Sequence, residues 1–333
     1  MPIRTPYLLF LGDAPHAKTA QGVLDWQPEL CLAQSRYPSC RLDLGLPEMG
    51  FAEAAAAGAR SVLIGSAPAG GRMPPAWITD MRRALEAGLD IASGLHERLN
   101  DHPDLKPLAD RLGRTLWDVR QPSREFTIGA FERRSGKRLL TVGADCAVGK
   151  KYTALAIERE MRARGMDAGF RATGQTGILI AGDGIAIDAV VADFIAAAAA
   201  ELSPAADANH WDVIEGQGSL FHPAYAGVTL GLVHGSQPDA MVLCADPTRP
   251  RLGAGDFDLY PQPDLGDCVR RYTEAARLTN AEARVIAVSL NTSKLDESAA
   301  RTLLNETEAR LGLPCVDPIR TGVGPVVDLL AQI

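Results

Sequence analysis

The sequence feature that most constrains the fold is a glycine-containing loop between a strand pattern and a helix pattern. The apolar run Arg138–Val142 predicts a β-strand, the loop GADCAVGK follows at 143–150, and helically spaced apolar residues follow over Lys151–Ala163. A small residue, four further residues and Gly-Lys, placed between a strand and a helix, form the pattern of a P-loop, which binds phosphate groups. Such a unit belongs to a parallel β-sheet that helices cover on both faces.

The loop contains the chemistry that a phosphate group needs. Ala144 is the small residue, and Gly149 and Lys150 complete the motif. Consecutive backbone N–H groups and the helix N-terminus attract phosphate oxygens, and the lysine ammonium neutralises their charge. We therefore predict that a phosphate-bearing cofactor contacts Ala144, Asp145, Cys146, Ala147, Val148, Gly149, Lys150, Lys151 and Tyr152.

The residue after the motif departs from the P-loops of nucleotide hydrolases. Lys151 occupies the position where those enzymes place the Ser or Thr that holds Mg²⁺. Thr153 comes two positions later, roughly 200° around the helix from Lys151, and is not expected to replace that ligand. The departure favours phosphate binding without metal-assisted phosphoryl transfer, and we predict that no metal is required.

The length of 333 residues predicts two domains, which we place at 1–125 and 126–333. Strand and helix patterns alternate in both halves, as in α/β proteins with parallel sheets. In the first half, strands are predicted at Tyr7–Leu11, Ser61–Gly65 and Thr115–Val119, and helices at Pro75–Ala87 and Leu105–Leu112. In the second half, further strands are predicted at Ile178–Ile180, Val213–Ile214, Ala240–Cys244 and Val285–Leu290, and further helices at Ile185–Ala200, Asp267–Arg277 and Asp296–Leu311.

Charge and cysteine content argue against several classes of protein. With 34 Lys+Arg and 41 Asp+Glu, the net charge of −7 argues against non-specific binding to nucleic acid or anionic membranes. The six cysteines form no CxxC pair, and no histidine cluster completes a zinc-binding spacing. The chain has no run of ~18 apolar residues, and its first apolar run, Tyr7–Leu11, is too short for a signal peptide. We therefore expect a cytoplasmic protein.

Three long blocks of the sequence resemble one family of proteins. They are GADCAVGKKYTALAIERE at 143–160, FRATGQTGILIAGDGIAIDAVVADF at 170–194 and VIEGQGSLFHPAYAGVTLGLVHGSQPDAMVL at 213–243, and the opening TPYLLFLGDAP is similar as well. The family is a domain of unknown function with a Rossmann-like N-terminal half and a P-loop C-terminal half, and it includes D-glutamate N-acetyltransferases. The resemblance implies a Rossmann-like sheet followed by a P-loop NTPase-like parallel sheet with flanking helices.

The resemblance also implies an activity. It implies transfer of the acetyl group of acetyl-CoA to the amino group of D-glutamate, with the CoA phosphates on the P-loop. It further implies a homodimer and a place in D-amino acid catabolism, where a racemase-type enzyme takes the N-acetyl product. The P-loop pattern also resembles dethiobiotin synthetase, so a Mg-ATP-dependent ligase or kinase is the alternative. That family has Thr at the position of Lys151, and the departure therefore favours the transferase.

A carboxylate is the candidate catalytic base, since a substrate ammonium must lose a proton before it attacks a thioester. Glu215 follows an apolar strand and precedes a glycine-rich loop, which places it at the ligand-binding edge of a parallel sheet. Asp188 and Asp193, on the predicted helix 185–200, are the other two candidates. We expect direct attack of the amine on acetyl-CoA, because Cys146 has no histidine beside it in the sequence to activate it.

Polar residues near the same strand ends are candidates for holding the amino-acid substrate. Arg171 carries a planar fork that matches a carboxylate. The amides of Gly216 and Gly218 are candidate donors to the thioester oxyanion. The predicted substrate-binding set is Arg171, Thr173, Gln175, Thr176 and His222.

Overall fold

The structure is a computed structural model that describes residues 3–66, 72–122, 125–128, 132–253 and 259–333. The chain divides into two compact units. The first unit contains residues 1–123 together with the segment Gln175–Ala189, and the second contains residues 124–174 and 190–333. The domain boundary near residue 125 stays a prediction. A single boundary there would assign the segment 175–189 to the second unit, whereas its contacts place it in the first.

Strands and helices alternate along the described part of the chain. The strands are β1 Tyr7–Gly12, β2 Cys31–Arg36, β3 Ser61–Ile64, β4 Asp90–Ser93, β5 Leu116–Asp118, β6 Lys137–Gly143, β7 Ala168–Arg171, β8 Trp211–Ile214, β9 Ala240–Ala245, β10 Arg284–Leu290 and β11 Cys315–Val316. The helices are α1 Lys18–Trp26, α2 Phe51–Ala56, α3 Pro75–Glu86, α4 Leu105–Leu112, α5 Lys150–Ala163, α6 Gln175–Ala181, α7 Ile195–Leu202, α8 Ala226–Ser236, α9 Leu265–Arg277, α10 Glu297–Leu311 and α11 Gly324–Leu330. Within the described ranges, no helix has both the length and the apolar character to cross a bilayer.

The first unit is built on a parallel sheet with the strand order β2-β1-β3-β4-β5. Strands β1, β3 and β4 are buried along their whole length, as is typical of parallel strands between two layers of helices. Trp77 and Met81 of α3 lie in the core, as their helical spacing predicts. Helix α6 packs against α1, so the segment that follows residue 174 joins the helices of this unit.

The second unit contains the P-loop in the middle of a six-stranded parallel sheet. Its strand order is β11-β10-β9-β6-β8-β7, which makes β6 a central strand with β9 and β8 as neighbours. Leu139 on β6, Val213 on β8 and Ile157 on α5 meet in its hydrophobic core. The predicted α/β class, with two parallel sheets and flanking helices, is confirmed.

One predicted strand of the second half is wrong. The run Ile178–Ile180 lies in helix α6, and its three side chains are buried. A three-residue apolar run has the same pattern in a buried helix as in a strand, so periodicity does not separate the two. The contact of α6 with α1 decides the outcome, and that contact is not visible in the local sequence.

The predicted helix 185–200 is also wrong in its first half, because α7 begins only at Ile195. Asp188 and Asp193 lie in separate 3₁₀ turns, at 187–189 and 192–194, instead of on this helix. The extended backbone of Val191, with ψ of 136°, separates the two turns. Two β-branched residues in succession at 190 and 191 have low helix propensity, which accounts for the late start of α7.

Helices α7 and α8 pack so closely that one glycine of α8 has no room for a side chain. A Cβ added at Gly235 would lie 2.7 Å from the backbone C and Cα atoms of Ala196, and closer still to its carbonyl oxygen. Relief would require the two helix backbones to separate. We therefore expect Gly235→Ala to lower the free energy of unfolding by about 2 kcal/mol, as measured by urea or thermal unfolding.

Gly227, on the same helix, provides the matched control. A Cβ at Gly227 would meet no atom within 4 Å, and alanine is a better helix former than glycine. Gly227→Ala should therefore leave the free energy of unfolding unchanged or raise it slightly. Equal stability of the two variants would mean that α7 and α8 do not pack this closely in solution.

Candidate active site

Two loops meet at the carboxyl edge of the second sheet. Strands β6 and β8 are parallel neighbours, with Leu140 opposite Ile214. Strand β6 ends at Gly143, where the P-loop begins, and Glu215 directly follows Ile214, the last residue of β8. Since adjacent parallel strands bring their carboxyl ends to one edge, the two loops form a shared site where open α/β sheets bind their ligands.

The P-loop backbone adopts conformations that depend on small residues. Ala147 and Gly149 have φ angles of 52° and 104°, and α5 begins at Lys150. The left-handed region is open to glycine and costly for most other residues. The first turn of a helix carries N–H groups without intrahelical partners, and these are the donors that a phosphate group requires.

Lys150 is enclosed between the two loops, with only 6% of its surface exposed. Its Nζ donates a hydrogen bond to the Asp145 carbonyl at 2.7 Å. Two glycines make room for its side chain: a Cβ at Gly143 would lie 2.7 Å from Nζ, and one at Gly216 would lie 3.2 Å from Cδ. Burial lowers the pKa of this ammonium, and the negative charge of a bound phosphate would offset that effect.

Thr153 does not replace the metal ligand that the sequence lacks at position 151. Its Oγ1 donates to the Gly149 carbonyl at 3.2 Å and lies 2.8 Å from Ser289 Oγ. The residue is 1% exposed, so its hydroxyl belongs to the interior. At the position after Lys150, the site therefore offers a second ammonium in place of the hydroxyl that would ligate Mg²⁺.

The Asp145 carboxylate fastens the P-loop to the segment that follows β9. This carboxylate is fully buried, and its Oδ2 accepts hydrogen bonds from the Gly253 amide at 2.8 Å and from Gln262 Nε2 at 3.0 Å. Arg249 donates to the same oxygen at 3.3 Å and to the Cys146 carbonyl at 3.0 Å. These bonds connect the P-loop to residues 249–262 through one buried carboxylate.

Glu215 is the buried acid of the site, with 6% of its surface exposed. Its Oε2 accepts hydrogen bonds from the amides of Thr173 at 3.0 Å and Gly174 at 3.1 Å. Burial raises the pKa of Glu215, while Lys151, these two amides and Lys150 oppose the rise. A carboxyl group with a raised pKa is a better proton acceptor than an exposed one, as a general base requires.

The loop that follows Glu215 is tied to the P-loop by three hydrogen bonds. Ser219 Oγ donates to the Ala144 carbonyl at 3.0 Å. The Tyr272 hydroxyl donates to the Gly143 carbonyl at 2.7 Å and accepts from the Leu220 amide at 3.0 Å. These bonds connect the P-loop to the loop that follows Glu215.

One of the two predicted oxyanion donors is already occupied. The Gly216 amide donates to Thr141 Oγ1 at 2.9 Å, so the prediction that this amide faces a thioester oxyanion is wrong. Gly218 has a φ of 66°, and a Cβ there would lie 2.6 Å from Thr229 Oγ1. The requirement for glycine at 218 is thus steric, and the role of its amide stays a prediction.

Of the predicted substrate-binding residues, Thr173 lies beside Glu215 and Arg171 does not. Thr173 lies against the acid, because its Oγ1 donates to the Glu215 carbonyl at 2.8 Å. Gln217, which the sequence analysis did not single out, donates from Nε2 to the Thr173 carbonyl. Arg171 instead donates from Nε to Asp212 Oδ1 at 2.5 Å, and this ion pair draws its guanidinium back along the sheet, away from the carboxyl edge.

Gln175 and Thr176 begin helix α6 and belong to the first unit. Gln175 packs against Gly94, where an added Cβ would lie 2.7 Å from its Cγ. Thr176 Oγ1 donates to Thr19 Oγ1 at 3.4 Å. Both side chains thus have structural partners within the first unit, and their role in substrate binding stays a prediction.

The two alternative catalytic carboxylates have different environments. Asp188 belongs to the first unit and forms an ion pair with Arg120 there. Asp193 belongs to the second unit and is exposed in the 3₁₀ turn before α7. Neither residue is buried as Glu215 is, and their catalytic roles stay predictions.

The structure also brings together three residues whose proximity the sequence does not show. One ligand atom each of Asp145, Cys146 and His222 lie within 4.8 Å of one another. His222 is fully buried, and its ring stacks on Tyr225 with centroids 4.6 Å apart. No motif spacing marks this group, because Cys146 and His222 come from the loops after two different strands.

Comparison with known proteins gives the family. The profile of the Rossmann-like domain of unknown function DUF1611_N matches residues 38–122, and the profile of the P-loop domain DUF1611_C matches residues 125–327. The chain belongs to the DUF1611 family. Membership of a family with a Rossmann-like and a P-loop half, as predicted from the three sequence blocks, is confirmed.

Curated relatives and a solved structure cover nearly the whole DUF1611 chain. A D-glutamate N-acetyltransferase of Tritonibacter scottomollicae is 51% identical over 335 residues, which is 99% of this chain and 100% of the relative. Another protein of that name, from a Pseudoalteromonas species, is 44% identical over 330 residues, which is 98% of this chain and 99% of the relative. The crystal structure of a DUF1611 family protein from Anabaena variabilis ATCC 29413, at 2.30 Å resolution, is 31% identical with a TM-score of 0.89, and covers 99% of this chain and 100% of its own.

Proposed function

We propose that this DUF1611 protein is an N-acetyltransferase that moves the acetyl group of acetyl-CoA to the amino group of D-glutamate. Two relatives named for this activity match the chain almost from end to end. The observation that carries the proposal is the buried pair of Lys150, at the start of α5, and Glu215, directly after β8. The pair provides a cation for a phosphate-bearing cofactor and a base for an amine.

In this proposal the P-loop holds the phosphates of CoA. The amides of the loop and the start of α5 donate to the phosphate oxygens, and Lys150 and Lys151 supply positive charge. Residues 144–152 form the cofactor-binding set. Acetyl transfer requires no Lewis acid at the phosphates, so the replacement of the usual Mg²⁺ ligand by Lys151 is compatible with the reaction. We expect acetyl-CoA as co-substrate and no requirement for a metal.

Glu215 acts as the general base in a direct transfer. The ammonium of D-glutamate gives a proton to the carboxylate, and the amine nitrogen then attacks the thioester carbonyl carbon. A C–N bond forms, the C–S bond breaks, and CoA leaves as a thiolate that takes up the second proton lost by the amine nitrogen. The raised pKa of Glu215 favours the first of these steps.

The substrate-binding residues of this proposal are Arg171, Thr173, Gln175, Thr176 and His222. Thr173 bonds to Glu215 through both its amide and its hydroxyl, which places it beside the proposed base. His222 is fully buried in the loop that follows Glu215. Arg171 already forms an ion pair with Asp212, and Asp188, one of the alternative catalytic carboxylates, forms one with Arg120. A cytoplasmic homodimer that works in D-amino acid catabolism completes the proposal, and light scattering of the purified protein tests the dimer.

A free-thiol release assay with acetyl-CoA tests the activity directly. The acceptors are D-glutamate, L-glutamate and a panel of other D- and L-amino acids, each measured with EDTA and with Mg²⁺. We expect CoA thiol release that depends on D-glutamate and persists in EDTA. Mass spectrometry should identify N-acetyl-D-glutamate in equal amount.

The alternative of a Mg-ATP-dependent ligase or kinase predicts the opposite result. Under that alternative no acceptor would release thiol from acetyl-CoA, and ATP would be consumed only when Mg²⁺ is present. This outcome would reject the acetyltransferase and assign the P-loop to phosphoryl transfer.

A further inference from the structure

Three side chains with different metal-binding chemistry meet beside the P-loop. Asp145 offers a carboxylate oxygen, Cys146 a sulfur and His222 a ring nitrogen, and these atoms all lie within 4.8 Å of one another. Two of the residues belong to the loop after β6, and the third belongs to the loop after β8. The acetyl transfer proposed above uses none of these three side chains as a ligand for a metal.

The combination of donors selects a class of metal ion. Thiolate and imidazole are preferred ligands of zinc and related transition metals, whereas Mg²⁺ and Ca²⁺ prefer oxygen donors. A set of three protein ligands leaves one position of a tetrahedral zinc ion open to water or to an external ligand. The group thus resembles a binding site for a thiophilic divalent ion more closely than a magnesium site.

Two of the three ligands are already held in place. The Asp145 carboxylate is fixed by its bonds from the amides of Cys146, at 2.6 Å to Oδ1, and Gly253, at 2.8 Å to Oδ2. The His222 ring stacks on Tyr225 with centroids 4.6 Å apart, and this contact holds the plane of the ring. The hydrogen bond that its Nδ1 accepts from the Ala224 amide at 3.2 Å belongs to the metal-free state. Hydrogen-bonded neighbours that orient the ligands are a regular feature of metal sites and raise their affinity.

Metal binding would change the position of the ring proton of His222. While Nδ1 accepts a hydrogen bond, the neutral ring carries its proton on Nε2. A metal bound at Nε2 would move that proton to Nδ1 and remove the bond from Ala224.

We propose that Asp145, Cys146 and His222 form a binding site for a thiophilic divalent cation such as zinc, with the thiolate of Cys146 as one ligand. In the binding step a metal–sulfur bond forms, and the thiol proton is released to solvent. Two of the ligands are residues of the P-loop, so the site lies beside the position that the proposed function gives to the CoA phosphates.

Cobalt(II) titration of the EDTA-treated protein, without acetyl-CoA, tests this site. We expect saturation at one cobalt per chain, a near-ultraviolet charge-transfer band from the thiolate, and visible bands typical of tetrahedral cobalt. Zinc should displace the cobalt and remove these bands. Cys146→Ala should abolish the charge-transfer band, and His222→Gln should weaken cobalt binding at least tenfold.

Matched controls come from residues outside the group. Cys40→Ala removes a buried cysteine of the first unit, and His102→Gln removes a histidine of that unit. Both variants should bind cobalt as the wild type does, and circular dichroism should verify the fold of every variant. A charge-transfer band that survives Cys146→Ala, or the lack of a saturable band in the wild type, would overturn the proposal.

A second measurement needs no variant. Cys146 is half-buried and the other five cysteines are buried, so a thiol reagent should modify Cys146 first. Zinc should slow this reaction in the wild type, and EDTA should restore its rate. An unchanged rate at saturating zinc would contradict the site. Neither measurement depends on acetyl transfer, so failure of the metal site would leave the proposed function untouched.

Discussion

Replacing Lys150 by alanine is expected to weaken the binding of CoA roughly 100-fold, or by about 3 kcal/mol, because a buried cation that faces a phosphate is lost. The ammonium is enclosed by the two loops, so the screening that weakens surface charges is small here. Calorimetric titration with CoA measures the change, and kcat/KM for acetyl-CoA should fall in parallel. The protein should stay folded, because burial disfavours this ammonium in the absence of ligand.

The control for this variant is Lys106→Ala. Lys106 is an exposed lysine of α4 whose ammonium pairs with Asp110 on the same helix. Its loss should change the affinity for CoA by less than a factor of two, since surface ion pairs are weak. If Lys150→Ala bound CoA as tightly as the wild type, the P-loop would not be the site of the CoA phosphates.

The second large effect is expected for Glu215→Gln, which should lower kcat at least 100-fold while KM for D-glutamate changes little. Both amides that bond to this side chain, from Thr173 and Gly174, donate to one oxygen, Oε2. A glutamine can place its carbonyl oxygen at that position and keep both bonds. The substitution therefore removes the base and preserves the shape of the site.

The pH profile separates a catalytic role of Glu215 from a structural one. Burial raises the pKa of Glu215 above 4.5, the ordinary pKa of a glutamate side chain. The acid limb of the kcat/KM profile of the wild type should therefore have an apparent pKa above 4.5. The base is active when deprotonated, so the rate should fall as the pH drops through that pKa. The glutamine variant should lose this limb. An acid limb that persists in Glu215→Gln would assign the general base to another group.

Stability gives a further check on the same substitution. A carboxyl group whose pKa is raised by folding binds its proton more tightly in the folded state than in the unfolded chain. The wild type should therefore lose stability as the pH rises from 4.5 through the raised pKa. The glutamine of Glu215→Gln does not ionise. At a pH above the raised pKa of Glu215, the melting temperature of this variant should therefore equal or exceed that of the wild type.

The parts of the site that sequence could predict are those with a local signature. The P-loop needs only a strand, a few small residues, a lysine and a helix in succession, and all of these are adjacent in the chain. Glu215 could be predicted because an acid directly after an apolar strand lies at the carboxyl edge of a parallel sheet, whichever strands are its neighbours. The short-range pattern therefore identified Lys150 and Glu215, which the structure brings together.

Long-range packing decides the features that sequence could not predict. Gln175 and Asp188 belong to the first unit because α6 packs on α1, and that contact joins residues far apart in the chain. The position of the Arg171 guanidinium depends on an ion pair with Asp212 on the neighbouring strand. The proximity of Cys146 and His222 likewise depends on strand order, which their sequence separation does not reveal.

The placement of residues 175–189 in the first unit has a consequence for the synthesis of the protein. The chain passes from one unit to the other three times, after residues 123, 174 and 189. A nascent chain that has delivered only its first 123 residues from the ribosome lacks α6, the helix that packs on α1. The N-terminal unit therefore cannot be completed before the P-loop strand has been translated, and the usual order of one finished domain after another does not apply to this chain.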